Sequence, residues 1–143
     1  RVIDAKGRDV NSLVTTYRNL WLRLHSYDIL QVINYVPQPA TFWRREVTET
    51  IGLFQEQLFY TMDYDYWLRS GQRVRLSFIN TYLATFRVHK ESKTGTLKRD
   101  QFAEDLATAR RYVSSRLKCA LHAVHNKAIV SAYRWSGSGG DQA

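Results

Sequence analysis

The spacing of apolar residues limits the folds open to this chain most strongly, because it is helical over nearly half of the sequence. Apolar residues recur every three or four positions over 13–24, which predicts an amphipathic helix. The same spacing predicts a long helix over 98–132. Shorter helices are predicted over 41–51 and 64–70, and each of these two is followed by a glycine, a residue typical of helix ends.

Strand patterns are confined to one part of the sequence. Over 74–78, apolar residues alternate with Arg and Ser, which is typical of a half-buried strand. Residues 82–88 are rich in β-forming side chains, and a turn at 80–81 would make them an antiparallel partner. The turn-rich opening, 1–10, predicts a tight reversal of the chain. The fold class predicted is α+β, mostly helical with a short β-hairpin, which is a thin sheet for an independent domain.

The domain organisation follows from length and composition. A chain of 143 residues is typical of one domain, and 44% hydrophobic residues with 2 Pro and 7 Gly exclude a disordered or collagenous chain. Residues 1–135 are expected to form a single folded unit. Residues 136–143, SGSGGDQA, predict a flexible tail.

Cysteine use and hydropathy indicate the compartment. Cys119 is the single cysteine, so it forms no intrachain disulfide, which favours a cytosolic protein and a packing role for this thiol. The longest uncharged run, 29–43, contains two prolines and is too short to span a membrane. No secretory segment opens the chain. Because the first residue is Arg1 rather than Met, we expect a piece of a longer protein.

The charge balance favours anionic partners. Lys and Arg number 21 against 13 Asp and Glu, a formal net charge of +8. Nucleic acid, an anionic membrane surface and phosphorylated small molecules all suit such a chain. The basic residues are spread along the sequence without a long cationic block, so an ordinary solvated basic surface is an equal alternative.

An acidic motif opens the helix predicted over 64–70. Asp63 and Asp65, in the run DYDYWLR, stand at its first turn, where free backbone N–H groups favour ionised carboxylates. Asp63 is therefore either a simple helix cap or a general base that accepts a proton from an attacking hydroxyl.

Two further segments carry polar side chains. In RVHKESKT, the side chains of Arg87, His89 and Lys93 would lie on the same side of an extended strand, where they would bind phosphate or, through His89, a metal; a hydrated strand end is the alternative. In QPATFWRR, residues 38–45, small residues and a hydroxyl would line a pocket, or Thr41 would cap a helix. The other histidines show no metal-ligand spacing, and no phosphate-binding glycine loop or serine-hydrolase motif occurs.

Four motifs in this order resemble a known family. QPATFWRR (38–45), GLFQE (52–56), MDYDYWLR (62–69) and FRVH with SKT (86–94) are similar to the C-terminal, acceptor-side half of a family 2 glycosyltransferase with the GT-A fold. The resemblance covers about residues 4–111. The family's N-terminal nucleotide-binding half, with its parallel sheet and metal-binding Asp-x-Asp, has no counterpart in this chain.

The resemblance implies an enzyme that transfers a sugar from a nucleotide-sugar donor to an acceptor hydroxyl, with inversion. It implies Mg²⁺ or Mn²⁺ as the cofactor, with His89 as a metal ligand, and weak or no activity for the isolated chain. It also implies work on cell-envelope polysaccharide, with a carbohydrate or lipid-linked acceptor, in the cytoplasm or at the inner face of the membrane, and no nucleic-acid partner. The residues implied are Asp63 as the catalytic base; Gln38, Ala40, Thr41, Asp65, Trp67 and Arg69 at the substrate; and Arg87, His89, Ser92 and Lys93 at the donor phosphates.

The sequence departs from the family pattern at several points. Gln55 stands where relatives usually carry Asp, Met62 replaces a common Glu, and Lys90-Glu91 replaces Pro-Gly. These changes favour an alternative interpretation, a non-catalytic interaction domain of transferase-like shape. The net charge favours another, a small basic helical module that binds RNA or an anionic membrane surface. The missing half also predicts an exposed apolar edge along 74–88 and self-association.

Overall fold

The computed structural model describes residues 1–10, 12–88 and 98–137, and helices dominate these ranges. The elements, in chain order, are β1 (Val2–Ile3), α1 (Ser12–Arg23), α2 (Tyr27–Leu30), a 3₁₀ turn (Gln38–Ala40), α3 (Arg45–Ile51), α4 (Met62–Gly71), β2 (Phe86–Arg87), α5 (Lys98–Tyr112) and α6 (Arg116–Gly137). The mostly helical α+β character predicted from the sequence is confirmed. No helix within the described ranges is both long and apolar enough to cross a bilayer.

Helix α4 is the centre of the core. Its buried residues cover nearly the whole circumference of the helix, which is typical of an element packed on all sides. It contacts α2, α3 and α5, while α5 packs in turn on α6. The buried residues of α4 are Tyr64, Asp65, Tyr66, Trp67, Leu68 and Ser70.

The two strands form a parallel pair rather than a hairpin. Val2 is paired with Phe86 and Ile3 with Arg87. The expected reversal within 1–10 does form, since Asp4 Oδ1 accepts from the Lys6 and Arg8 amides at 2.8 and 2.9 Å and Gly7 takes a φ of +81°. Arg87 of β2 donates to the Asp4 and Ala5 carbonyls of this turn, which joins the turn to β2.

The predicted hairpin of 74–78 with 82–88 is wrong. Residues 74–78 contain no strand; the Val74 amide instead donates to the Ser70 carbonyl at 2.8 Å, which continues the last turn of α4. The predicted alternation of burial along 74–78 is present, with Val74, Leu76 and Phe78 half-buried. A period-2 pattern therefore identified the buried side of the segment but not its partner, because β2 pairs with a strand at the other end of the sequence.

The long helix predicted over 98–132 is two helices. The break at 113–115 places Val113 in the core at 5% exposure, and the Ser115 hydroxyl accepts from the Lys118 amide at 3.4 Å at the start of α6. Cys119, half-buried as expected of a packing residue, donates through Sγ to the Val113 carbonyl. Of the predicted tail, Ser136 and Gly137 belong to α6, and 138–143 lie outside the described residues.

Candidate functional site

Three of the four motif segments meet on helix α4. The Trp43 ring packs against Tyr66 and Trp67 of α4 at centroid distances of 5.2 and 5.5 Å. Its Nε1 donates to the Thr48 hydroxyl at 2.9 Å, and that hydroxyl lies 2.9 Å from the Tyr66 hydroxyl. Phe54, from the second motif, stacks on Tyr66 at 4.5 Å. The segments 38–45 and 52–56 are thereby fastened to the helix that carries the acidic motif.

Arg69 ties α4 to the end of α3. Its guanidinium donates to the carbonyls of Ile51 and Leu53 at 2.5 and 2.9 Å. Between them Gly52 has φ +82° and ψ −173°, a conformation that only glycine adopts readily. The chain can therefore turn after α3 and present two carbonyls to one side chain.

Asp65 holds Arg69 in place. The carboxylate is fully buried; Oδ2 accepts from Arg69 Nε at 2.8 Å, and Oδ1 accepts from the Tyr112 hydroxyl. Trp67 is also buried, at 1% exposure. The structure thus places Asp65 and Trp67 inside the core, where they position α4, and leaves Arg69 16% exposed at the edge of the same cluster.

Asp63, the candidate base, has a different environment from Asp65. It lies in the first turn of α4 and is half-buried, and its Oδ1 accepts from the Tyr64 amide at 2.7 Å. Burial raises the pKa of Asp63 above its usual value, against the lowering effects of the Tyr64 hydrogen bond and of the Arg18 charge. The negative charge of Asp105 acts in the same direction as burial. The result is a carboxylate with an enhanced affinity for a proton.

Glu104 fixes the start of α4. Its Oε1 accepts from the Tyr60 amide at 2.8 Å and from both the amide and the hydroxyl of Thr61 at 2.9 Å. Burial pushes the pKa of Glu104 upward, but these hydrogen bonds outweigh it, and the pKa lies below its ordinary value. An ionised carboxylate on α5 therefore satisfies the donors that precede α4. No pattern in the sequence indicated this role for Glu104.

A second polar cluster lies beneath α4. Asp105 Oδ2 is 2.8 Å from His122 Nε2 and accepts from Asn126 Nδ2 at 3.1 Å, while Oδ1 accepts from Asn34 at 3.2 Å. His122 is fully buried, and its ring stacks on Tyr64 at 6.0 Å. His122 is thus a structural residue. The spacing of His122 and Asn126, four positions apart on one helix face, is the sequence feature that could have indicated this cluster.

The remaining motif residues have varied surroundings. Gln38 is exposed on the 3₁₀ turn with Ala40, and the Thr41 hydroxyl donates to the Pro37 carbonyl at 2.8 Å. Thr41 does not cap α3, which begins at Arg45 instead. Arg87 donates to the carbonyls of Asp4 and Ala5 at 3.1 and 2.9 Å, so it binds the N-terminal turn.

The donor-side cluster is only partly described. His89, Ser92 and Lys93 lie outside the described residues, so their grouping with Arg87 stays a prediction. Within the described part of the chain, no group of three His, Cys, Asp or Glu side chains is arranged to hold a metal ion.

Comparison with known proteins adds no relative to these observations. No protein-family model, curated protein or solved structure matches the chain.

Proposed function

We propose that this chain is the acceptor-side part of a GT-A glycosyltransferase of family 2, with Asp63 as the general base. The observation that supports the proposal is the convergence on α4. The segments 38–45 and 52–56 bind the helix whose first turn carries a half-buried carboxylate of raised pKa. Three of the four motifs that resemble the family in sequence order are also in contact in space.

In the proposed reaction the acceptor hydroxyl donates a hydrogen bond to the Asp63 carboxylate. As the hydroxyl oxygen forms a bond to the anomeric carbon, its proton passes to Asp63 and the bond from that carbon to the nucleoside diphosphate breaks. Burial suits Asp63 to this step, because it makes the carboxylate a stronger base than an exposed Asp. Glu104 and the Asp65–Arg69 pair fix the position of α4, and with it the position of the Asp63 carboxylate.

The donor side of the proposed site is inferred from the resemblance to family 2 glycosyltransferases. Arg87, His89, Ser92 and Lys93 would face the donor diphosphate, and Gln38, Ala40 and Thr41 would line the cleft. Mg²⁺ or Mn²⁺, with His89 as a ligand, would neutralise charge on the leaving diphosphate when bound. A nucleotide-sugar donor, a carbohydrate or lipid-linked acceptor and a cytoplasmic location, at the inner face of the membrane, belong to the same proposal.

Exposed apolar side chains occur on the segments bound to α4 and at its start. Phe42 is 74% exposed and Leu53 76%, and both belong to segments bound to α4. Phe59, which precedes α4, and Met62, its first residue, are also exposed. These side chains are the candidate contacts for the acceptor.

The decisive experiment is a sugar-transfer assay. The chain is fused behind a nucleotide-binding half of a family 2 enzyme, and transfer of labelled sugar from a panel of nucleotide-sugars is measured. Loss of a general base predicts that Asp63→Asn lowers the rate about 10²- to 10⁴-fold. Asp28→Asn is the matched control, since the Asp28 side chain is 79% exposed and pairs only at the surface with Lys118. Full activity of Asp63→Asn would contradict the assigned base.

The alternative hypothesis, that the chain is an RNA- or membrane-binding module, is tested with the same protein. Binding of polynucleotide or anionic vesicles is measured over a range of salt concentration. A steep loss of affinity with salt, together with no sugar transfer by any fusion, would favour the basic module over the transferase.

A further inference from the structure

An open groove of about 800 Å³ lies beside α2, on the side of the molecule formed by the end of α4 and the segment that follows it. Its volume is within the usual range for small-molecule sites. It is separate from the residues assigned above to sugar transfer. The side chains that matter here are His25, Tyr27, Arg73, Arg75 and Phe78, with Gly71 at the floor.

The shape of the groove is fixed by close packing at its floor. A Cβ on Gly71 would lie 2.5 and 2.9 Å from two ring carbons of Tyr27, so only glycine lets α4 approach this ring. The Tyr27 hydroxyl donates to the Leu68 carbonyl at 3.1 Å, which holds the ring against α4. After Gly71, the amides of Arg73 and Val74 both donate to the Ser70 carbonyl, at 2.9 and 2.8 Å. The segment carrying the two arginines is thus anchored to the helix.

The charges of the groove are all of one sign. Arg73 and Arg75 are exposed, His25 is half-buried, and no residue lining the groove carries a carboxylate. Within the described part of the chain, neither guanidinium has an ion-pair or hydrogen-bond partner. This differs from Arg69 and Arg87, each of which donates hydrogen bonds to two protein carbonyls. Two arginines without a protein partner and one histidine are therefore among the residues that line one concave space.

We propose that this groove binds the phosphate group of a small, partly apolar ligand. Guanidinium groups present paired N–H donors that match the oxygens of phosphate, and two of them balance the charge of a dianionic phosphate monoester. The rings of Tyr27 and Phe78 supply apolar walls for the group that the phosphate carries. This site does not depend on the transferase proposal, because it uses none of the residues assigned to that reaction.

The test is a titration of the ¹⁵N-labelled chain with phenyl phosphate and, separately, with inorganic phosphate, followed by NMR in low-salt buffer. Charge-assisted hydrogen bonds from two guanidinium groups predict a Kd of about 1 mM for phenyl phosphate. Chemical-shift changes are expected at 25–27 and 71–78. Inorganic phosphate is expected to bind more weakly, since it makes no contact with the aromatic walls.

Two variants with equal charge separate a site from general attraction. Arg73→Gln/Arg75→Gln is expected to weaken phenyl phosphate binding at least about tenfold. Arg110→Gln/Arg111→Gln, which removes two exposed arginines of α5, is expected to change the Kd less than about twofold, because neither residue lines the groove. Each replaced side chain is exposed, so both variants are expected to fold, and their amide spectra verify it.

Two further binding measurements identify the kind of molecule that carries the phosphate. Binding of phosphatidic-acid vesicles that requires Arg73 and Arg75 and is blocked by phenyl phosphate would place the phosphate on a lipid and support the site. Equal binding by the two double variants would overturn it, as would the absence of shifts at the groove with millimolar phenyl phosphate. Binding of single-stranded RNA through these arginines, without binding of phenyl phosphate, would also overturn the assignment to a small ligand.

Discussion

The replacement Asp65→Asn tests whether the core of this molecule depends on one buried ion pair. The Asp65 carboxylate is fully buried and accepts from Arg69 Nε at 2.8 Å and from the Tyr112 hydroxyl. Removing one partner of a buried pair costs about 3–5 kcal/mol, because the other charge is left without compensation. Arg69 would keep its bonds to the carbonyls of Ile51 and Leu53. The expected loss is therefore at the lower end, about 3 kcal/mol.

Urea unfolding followed by tryptophan fluorescence measures this loss. The chain has 4 Trp, and Trp67 lies in α4 itself, so the emission reports on the core. With a slope of about 2 kcal/mol per M, the midpoint is expected to fall by about 1.5 M without a change in slope. Since a domain is stable by about 5–15 kcal/mol in total, a loss of this size would remove roughly a fifth to three fifths of the stability.

A double-mutant cycle separates the ion pair from other effects of the replacement. Asp65→Asn and Arg69→Leu are measured singly and together, with Glu49→Gln on the exposed face of α3 as the control. A coupling energy above about 1 kcal/mol is expected from residues in direct contact. Additive losses, or an Asp65→Asn variant as stable as the Glu49→Gln control, would refute the reasoning that the pair holds α4 in place.

Four further measurements follow from the structure. Gly52→Ala is expected to cost about 1–3 kcal/mol in the same urea assay, because an L side chain is strained at φ +82° and ψ −173°. Burial and the bond to Asp65 raise the pKa of Tyr112 to about 12. Because this tyrosine ionises at a lower pH in the unfolded chain, the free energy of unfolding is expected to fall as the pH rises from about 10 to about 12. The fall is expected to be less steep in Tyr112→Phe. Burial lowers the pKa of His125, so thermal stability is expected to fall as the pH drops below about 6.5, and His125→Gln is expected to weaken this dependence. Because burial raises the pKa of Asp63, its negative charge costs stability at pH 7, and Asp63→Asn is expected to raise the melting temperature there. At a pH below the pKa of Asp63, the variant and the wild type are expected to have the same melting temperature.

The elements that the sequence predicted well are those whose pattern is local. The helix predicted over 13–24 is observed as Ser12–Arg23, and the one predicted over 64–70 as Met62–Gly71. In both, apolar spacing and the residues at the ends point to the same structure. The predicted hairpin failed because strand pairing depends on which edge is free. Here the N-terminal residues Val2–Ile3 occupy the edge of Phe86–Arg87, and no local pattern contains that information.

The candidate site was predictable only in part. The sequence places Asp63 and Asp65 in one motif, and only the family resemblance gives them different roles. What separates them is a set of contacts from distant parts of the chain. The Tyr112 hydroxyl reaches Asp65 from 47 residues away, and Glu104 reaches the Thr61 amide from 43. Contacts of that kind arise from the packing of α5 on α4, which the sequence pattern alone does not specify.

The choice between a structural and a chemical role for Asp63 depends on what its charge does to stability. Asn serves the ends of helices about as well as Asp, so a capping role alone would be filled equally by either residue. Burial raises the pKa of Asp63, which means that the ionised carboxylate is held at a cost to the folded state at neutral pH. A purely structural side chain at this position therefore gains nothing from its charge. A base that must take a proton from a hydroxyl requires that charge, and the same desolvation that makes it costly makes it effective. An Asp63→Asn variant that is more stable and less active would show that the two effects have one cause, whereas one that is less stable and equally active would make Asp63 a structural residue.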